Sequence, residues 1–281
     1  MDRLIPHVVS VEWLAEHLED ATLRVVDVRW KLGDADYGER AYALGHLPGA
    51  VCLSLDRDLA SPPGVAGRHP LPSAAAFAQA MERVGICDGT RVVAYDDQAG
   101  AIASRLWFLL RYFGHETGAV LDGGLAAWTA AGHPLTAALP APPRGLFASN
   151  SKPGVAASRE EVLQALEQGA LLLDARAGER YRGEVEPIDP RPGHIPRAIN
   201  APFSGNLNGG LFLSTAKLAE RYRALGVGSR PTIVYCGSGV TACHDALAIA
   251  VASLPMPRVY VGSWSEWSRD PEAPVELGAS P

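Results

Sequence analysis

The chain has 281 residues, of which 47% are hydrophobic and 20% are charged, so it can bury the core of one large domain or of two ordinary ones. Its formal net charge of −6 argues against a nucleic-acid-binding protein and against a protein that binds membranes through basic residues. No apolar run in the sequence is long enough to span a bilayer.

Cysteine usage and the first residues indicate the compartment. The four cysteines form no Cys-x-x-Cys pair, which favours a reducing compartment and predicts neither a disulfide framework nor a zinc site. The N-terminal residues include no apolar stretch of signal-peptide length. We therefore expect a cytoplasmic protein that holds no metal and no cofactor.

The first half of the chain alternates predicted strands and helices. A buried strand at 23–29 ends in Asp-x-Arg, and a Gly-His-Leu-Pro segment follows at 45–48. A helix is predicted at 73–84, and a strand at 91–95 leads into an acidic loop and another helix. A short strand, a glycine turn and Trp128 complete this half.

A proline-rich stretch separates the two halves. The four prolines between residues 139 and 155 cannot enter a strand ladder or a helix interior. We therefore predict a first domain at 1–138, a surface linker at 139–155 and a second domain at 156–281.

The second half repeats the order of the first. Ser158 begins a capping-box helix, and the later features are, in order, a strand at 171–176 ending in Asp-x-Arg, Gly-His-Ile-Pro at 193–196, a helix at 215–225, a strand at 232–235, a helix at 240–253 and Trp267. A repeat of about 130 residues indicates a duplicated domain rather than a solenoid. Strands alternating with helices predict an α/β fold in which each domain has a parallel sheet with helices on both faces.

The loop that follows the strand at 232–235 carries the strongest chemical signal. Cys236 stands where this strand ends, the position at which sites form in parallel sheets. Gly237 and Gly239 allow the backbone to turn around the sulfur, so the loop N–H groups and the helix N-terminus favour the thiolate. A thiolate is a nucleophile, and we predict that Cys236 acts as one.

The first half lacks this nucleophile. Aligning Tyr95 with Tyr235 places Asp96 opposite Cys236, in an acidic loop that would repel anions. We therefore expect the first domain to support the second.

With these motifs the chain resembles the rhodanese family, specifically its tandem-domain sulfurtransferases. The similarity rests on the two strands that end in Asp-x-Arg, the two Gly-His-x-Pro segments, the loop after Cys236, and the tryptophan near the end of each half, Trp128 and Trp267. It implies an inert first domain and a Cys236 persulfide in the second. The sulfur acceptor would be a small thiol, a thioredoxin-like protein or cyanide.

The donor is predicted from the cysteine loop. In the mercaptopyruvate branch of this family the loop begins Cys-Gly-Ser-Gly-Val-Thr, as residues 236–241 do here. Residues 237–241 include no Lys or Arg, which suits a keto acid better than the compact dianion thiosulfate. We favour 3-mercaptopyruvate, with a thiosulfate:cyanide sulfurtransferase and a persulfide relay loaded by a partner protein as alternatives.

Further site residues follow from the loop and from the resemblance. We expect backbone N–H groups to stabilise the thiolate and the persulfide along the loop formed by Gly237, Ser238, Gly239, Val240, Thr241 and Ala242. Ser238 would either move a proton during catalysis or only stabilise the loop. The resemblance implies a relay from Ser238 to His46 and a nearby acid, for which Asp36 and Asp34 are both candidates.

Two arginines are candidates for binding the substrate anion. Arg180 matches the family arginine that binds it, and a guanidinium can hold a carboxylate through two parallel hydrogen bonds. Arg191 is the candidate for a second family arginine, although it is displaced from the expected position by about two residues. A Cys-x5-Arg phosphatase is disfavoured because position 242 is alanine.

Overall fold

The computed structural model describes residues 5–279, which group into two units. The first unit contains the residues up to Ser61 together with Leu71–Lys152. The second contains the residues from Pro153 onward together with the segment Pro62–Pro70. The sequence assigns that segment to a continuous first domain at 1–138, so the structure differs from this prediction at 62–70.

The first unit is built on a five-stranded parallel sheet. Its strands are β1 (Val8–Val9), β2 (Leu23–Asp27), β3 (Val51–Cys52), β4 (Arg91–Tyr95) and β5 (Gly118–Leu121). Their order across the sheet is β1-β5-β4-β2-β3, with Val93 of β4 paired between Val25 and Ala119. The central strands are almost wholly buried and rich in valine, as expected for a parallel sheet covered by helices.

Helices flank this sheet. They are α1 (Val11–His17), α2 (Tyr37–Leu44), α3 (Leu55–Asp58), α4 (Ala74–Arg83), α5 (Ala103–Tyr112) and α6 (Gly124–Ala130). Leu14 of α1 and Trp128 of α6 pack in one core cluster with the side chains of Val25 and Val93. This packing buries the apolar face of the sheet.

The second unit repeats the same sheet. Its strands are β6 (Ala156–Ala157), β7 (Leu171–Asp174), β8 (Ile199–Asn200), β9 (Leu207–Asn208), β10 (Leu211–Phe212), β11 (Thr232–Tyr235) and β12 (Arg258–Tyr260). The main sheet is parallel with the order β6-β12-β11-β7-β8, and β9 and β10 form a separate antiparallel pair. The central position of β11 determines where the loop after it lies.

The helices of the second unit are α7 (Arg159–Glu167), α8 (Gly178–Tyr181), α9 (Thr215–Ala224), α10 (Thr241–Val251) and α11 (Ser263–Trp267). Ser158 forms the predicted capping box with Glu161 at the start of α7. The identical strand order in the two units confirms the predicted fold class, a tandem pair of α/β domains with parallel sheets.

The two repeated motifs hold one another in place. In the second unit, the Arg176 guanidinium donates to Asp174 at 2.6 Å and to the carbonyl oxygen of Gly193 at 2.7 Å. In the first unit the corresponding residues are Asp27, Arg29 and Gly45. The Asp-x-Arg motif at the end of each strand thus fixes the neighbouring Gly-His-x-Pro turn. The role of this motif is therefore structural.

Among residues 5–279, no helix is both long enough and apolar enough to cross a membrane.

Candidate active site

Cys236 follows β11 directly and lies at the carboxyl end of the sheet in the second unit. Its side chain is buried, with 2% of the residue exposed, and its backbone N–H donates to Ser263 Oγ at 3.1 Å. Four loop residues then lead to Thr241, where α10 begins. The position matches the prediction for a nucleophile at a strand-to-helix junction.

The backbone of this loop is oriented by α11. The carbonyl oxygens of Cys236 and Gly237 accept hydrogen bonds from the N–H groups of Trp264 and Ser265, at 3.0 and 2.8 Å. In a trans peptide the C=O and the following N–H point in opposite directions. The N–H groups of Gly237 and Ser238 therefore point away from α11.

Gly239 is required by this arrangement. Its φ of +72° lies in the left-handed region, and a Cβ there would lie 2.3 Å from the carbonyl oxygen of Val261. Val240 and Ala242 are buried and Thr241 is half-buried where α10 begins. The substrate-binding roles predicted for Gly237, Gly239, Val240, Thr241 and Ala242 stay predictions.

Ser238 is hydrogen-bonded to a histidine that the sequence analysis did not select. His69, on the segment Pro62–Pro70, places its Nδ1 2.8 Å from Ser238 Oγ, and both residues are buried. This pair joins a group that can exchange protons near neutral pH to a hydroxyl two residues from Cys236. It is suited to move a proton at the site.

Two arginines converge on Gly237. A Cβ built on this glycine would lie 3.3 Å from Arg180 Nη1 and 3.3 Å from Arg68 Nη2. Arg180 is paired with Glu186 at 2.7 Å and with Asp189 at 3.1 Å, while Arg68 is paired with Asp189 at 2.7 Å. The predicted site residue Arg180 therefore lies beside the cysteine loop.

The equivalent loop of the first unit holds Asp96. Its buried carboxylate accepts backbone hydrogen bonds of 2.7–2.9 Å from four residues, Gln98, Gly100, Ile102 and Ala103. Burial raises the pKa of Asp96, although these hydrogen bonds oppose the shift. The junction after β4 is thus an amide-lined anion site filled by the protein's own carboxylate.

The described contacts of His46 do not support the relay predicted through it, which stays a prediction. His46 Nδ1 lies 2.8 Å from the carbonyl oxygen of Tyr42, its Nε2 lies 3.2 Å from that of Ala138, and its ring stacks on Tyr42. His194 makes the same contacts with Tyr181 in the second unit. The repeated histidines hold the turns, and the histidine hydrogen-bonded to Ser238 is His69.

The acids proposed for that relay are both paired with arginines. Asp36 is exposed and lies 3.5 Å from the guanidinium of Arg57, while Asp34 is paired with Arg40 at 2.6 Å. Both are surface ion pairs around the start of α2, and the role predicted for either acid stays a prediction.

The contacts of Arg191 in the structure do not support the substrate role predicted for it. Its guanidinium donates to four backbone carbonyl oxygens at 3.0–3.4 Å, those of Trp267, Ser268, Pro271 and Ala273. These bonds tie the segment after α11 to the body of the second unit. Arg191 is therefore a structural residue with its donors committed to the backbone.

The sequence patterns do not single out His69 or Arg68, because neither residue belongs to a repeated motif. Both lie in a stretch, Pro62–Pro70, that contains two glycines and no helix or strand, which gives no periodic signal. One signal was available, since a histidine that recurs in both halves points to a shared structural role. His69 is outside the repeated motifs, which makes it a candidate for a function of one half only.

Within the described part of the chain, no group of three or more His, Cys, Asp or Glu side chains is placed to hold a metal ion.

Comparison with known proteins agrees with this architecture. The profile of the Rhodanese-like domain matches residues 10–131 and 158–270. The chain is 46% identical to a probable 3-mercaptopyruvate sulfurtransferase of Pseudomonas aeruginosa, over 96% of this chain and 98% of that protein. It is 36% identical to a thiosulfate sulfurtransferase of Rattus norvegicus, over 97% and 96% of the two chains.

A solved structure is similar over nearly the whole length. SseA of Escherichia coli, described as a 3-mercaptopyruvate sulfotransferase with the rhodanese fold, superimposes with a TM-score of 0.82 at 34% sequence identity. The match covers 93% of this chain and 100% of SseA.

Proposed function

Because the chain belongs to the rhodanese family as a tandem-domain sulfurtransferase, we propose that its sulfur donor is 3-mercaptopyruvate and that Cys236 carries the sulfur as a persulfide. The observation that carries this proposal is the cysteine loop itself. Residues 237–241 include no Lys or Arg, and Ser238 is hydrogen-bonded to His69 at 2.8 Å.

The first step is nucleophilic attack. The Cys236 thiolate attacks the donor sulfur, a new S–S bond forms, and the carbon–sulfur bond breaks. Its electron pair stays on carbon and gives the enolate of pyruvate. The N–H groups of Gly237 and Ser238, which point away from α11, stabilise the negative charge on the cysteine and then on the persulfide.

A proton must also move. The donor enters as a thiol, and the enolate carbon must gain a proton to become the methyl group of pyruvate. The proton lost by the thiol can therefore balance the proton gained by the carbon. Ser238 takes the proton from the donor thiol as its own hydroxyl proton passes to His69, and the reverse transfer delivers one proton from Ser238 to the enolate carbon. Arg180 holds the donor carboxylate during this transfer.

The second step removes the transferred sulfur from Cys236. An acceptor thiolate, or cyanide in an assay, attacks the outer sulfur of the persulfide and releases the Cys236 thiolate. A small thiol and a thioredoxin-like protein are both suitable acceptors, because each presents a nucleophilic thiolate. A cytoplasmic location stays a prediction from the sparse cysteines.

Two other functions are competing proposals. Thiosulfate is a candidate donor because the chain is similar to a thiosulfate sulfurtransferase of Rattus norvegicus. A persulfide relay would receive its sulfur from a partner protein and would have no small-molecule donor.

The decisive test compares donors. The specificity constant, kcat/KM, is measured for 3-mercaptopyruvate and for thiosulfate with the same acceptor. We expect 3-mercaptopyruvate to be preferred. A tenfold or greater preference for thiosulfate would overturn the choice of donor, and loading by a partner desulfurase alone would establish the relay.

A further inference from the structure

The segment Pro62–Pro70 is fixed against α11 rather than lying loosely on the surface. The backbone N–H of Arg68 donates to Ser265 Oγ at 2.9 Å, and Arg269 donates to the carbonyl oxygen of Gly64. At Gly67, whose φ is +103°, a Cβ would lie 2.8 Å from the carbonyl oxygen of Gly262. This close approach fixes the backbone from which the Arg68 side chain extends.

The Arg68 guanidinium is held in one orientation by a buried acid. Asp189, whose side chain is 2% exposed, accepts from Arg68 Nη1 through Oδ1 and from Arg180 Nη2 through Oδ2. A single carboxylate thus spaces the two guanidinium groups. Arg68 keeps 19% of its side chain exposed, so it is reachable from solvent.

The remaining terminal nitrogens of the two arginines face the cysteine loop. Arg68 donates through Nη1 to Asp189, and Arg180 donates through Nη2 to Glu186. The other terminal nitrogens, Nη2 of Arg68 and Nη1 of Arg180, each lie 3.3 Å from the Cβ position of Gly237. Gly237 is adjacent to Cys236, so both guanidinium groups lie within the reach of a small donor whose sulfur contacts the cysteine. The lack of a side chain at 237 leaves the space between them open.

We propose that Arg68 is a specificity-determining residue that binds the donor carboxylate together with Arg180. This inference rests on the proposed function, because it assigns the contact that selects a carboxylate-bearing donor. Two guanidinium groups spaced by Asp189 can each donate to one carboxylate oxygen, which fixes the donor's orientation as well as its charge. Arg68 thereby fills the role of second arginine for which the sequence suggested Arg191.

The test combines two variants with two donors. Arg68→Gln removes the charge beside Gly237, and Arg269→Gln is the matched control because it removes a different anchor of the same segment, on the exposed surface. The donors are 3-mercaptopyruvate and its uncharged methyl ester. KM and kcat are measured for each with one acceptor, and thermal melting shows that each variant is folded.

We expect Arg68→Gln to raise the KM for 3-mercaptopyruvate by about 10- to 100-fold, the range of one hydrogen bond to a charged group. The kcat should change by less than about twofold, and the KM for the ester should stay at the wild-type value. Arg68→Lys, which keeps the charge but not the planar fork, should have an intermediate KM. Arg269→Gln should match the wild type with both donors.

Three outcomes would overturn the inference. A wild-type KM for 3-mercaptopyruvate in Arg68→Gln would show that the guanidinium does not bind the carboxylate. An equal loss with acid and ester, or a loss shared by Arg269→Gln, would show that Arg68 only holds the segment and His69. A wild-type protein that does not turn over 3-mercaptopyruvate would remove the proposed function and, with it, this inference.

Discussion

The loops after β4 and β11 begin at the same point of two equivalent sheets and place different residues there. After β4, the carboxylate of Asp96 occupies the junction and takes four backbone N–H groups. After β11, the same position holds Cys236, and Ser238 and His69 are joined beside it. Backbone N–H groups hold a carboxylate at the first junction. We propose that the equivalent junction of the second unit carries a nucleophilic sulfur instead.

The largest expected effect comes from making the second loop resemble the first in lacking a nucleophile. Cys236→Ser should lower kcat/KM for 3-mercaptopyruvate by at least about a thousandfold, as the loss of a catalytic nucleophile typically does. Cys87→Ser is the matched control, because Cys87 is an exposed free cysteine of the first unit. If Cys236→Ser retained more than a tenth of the wild-type activity, Cys236 would not be the nucleophile that distinguishes the second loop from the first.

The histidines allow a second comparison, between a residue outside the repeats and a repeated one. His69→Gln should lower kcat for 3-mercaptopyruvate by about 100-fold, within the usual contribution of general acid–base catalysis. Alkylation of Cys236 should still proceed, since the cysteine and its loop are unchanged.

His46→Gln is the control for that prediction. It should lower the melting temperature, because His46 is buried between two backbone carbonyl oxygens, and leave the kcat of the folded protein near the wild-type value. The reverse pattern, with kcat lost in His46→Gln and kept in His69→Gln, would restore the relay that the sequence suggested.

The first loop can be tested by emptying its anion site. Asp96→Ala leaves four N–H groups, three of them buried, without their acceptor, so the free energy of unfolding should fall by about 3 kcal/mol. Asp96→Asn keeps one acceptor oxygen and should cost roughly half as much. Denaturant unfolding measures both.

Asp36→Ala serves as the exposed control for the Asp96 variants. Its carboxylate takes part in a surface ion pair with Arg57, and the expected change is within about 0.5 kcal/mol. If Asp96→Ala lowered the free energy of unfolding no more than Asp36→Ala does, the amide hydrogen bonds around Asp96 would not stabilise the first unit.

The smallest expected effect concerns the helices that follow the two loops. Helix α5 buries Arg105, whereas α10 buries Asp245, whose Oδ1 accepts from Asn206 at 2.8 Å. Burial raises the pKa of Asp245 from 3.8 to about 7, while hydrogen bonding by Asn206 opposes this shift. The folded state therefore keeps a proton that the unfolded chain has released between about pH 4 and 7.

In that pH window, stability should decrease as pH rises, because ionisation favours the unfolded chain. Asp245→Asn removes this titration, so its melting temperature should change less between pH 4.5 and pH 7.5 than that of the wild type. Equal pH dependence in the two proteins would show that Asp245 titrates normally in the folded state.

Much of the fold and the nucleophile could be predicted from local patterns. The valine-rich strands, the repeated Asp-x-Arg and Gly-His-x-Pro motifs and the glycines after Cys236 each report on structure within a few residues. The identical strand orders of the two sheets follow from those repeats.

The remaining site residues depend on contacts between distant parts of the chain. His69 contacts Ser238 although the two are 169 residues apart in the sequence, and Arg68 contacts Asp189 at a separation of 121 residues. Neither contact leaves a periodic signal in the segment Pro62–Pro70. The position of Arg191 near Arg180 in the sequence likewise gives no information about the four carbonyl oxygens that hold its guanidinium.

Intact-protein mass spectrometry after exposure to 3-mercaptopyruvate without an acceptor can show whether the thiol at the end of β11 carries the transferred sulfur. We expect the wild-type chain to gain one sulfur atom, located on the peptide that contains Cys236, and Cys236→Ser to gain none. If the wild-type chain gained no sulfur, or if Cys236→Ser gained as much as the wild type, Cys236 would not be the sulfur carrier.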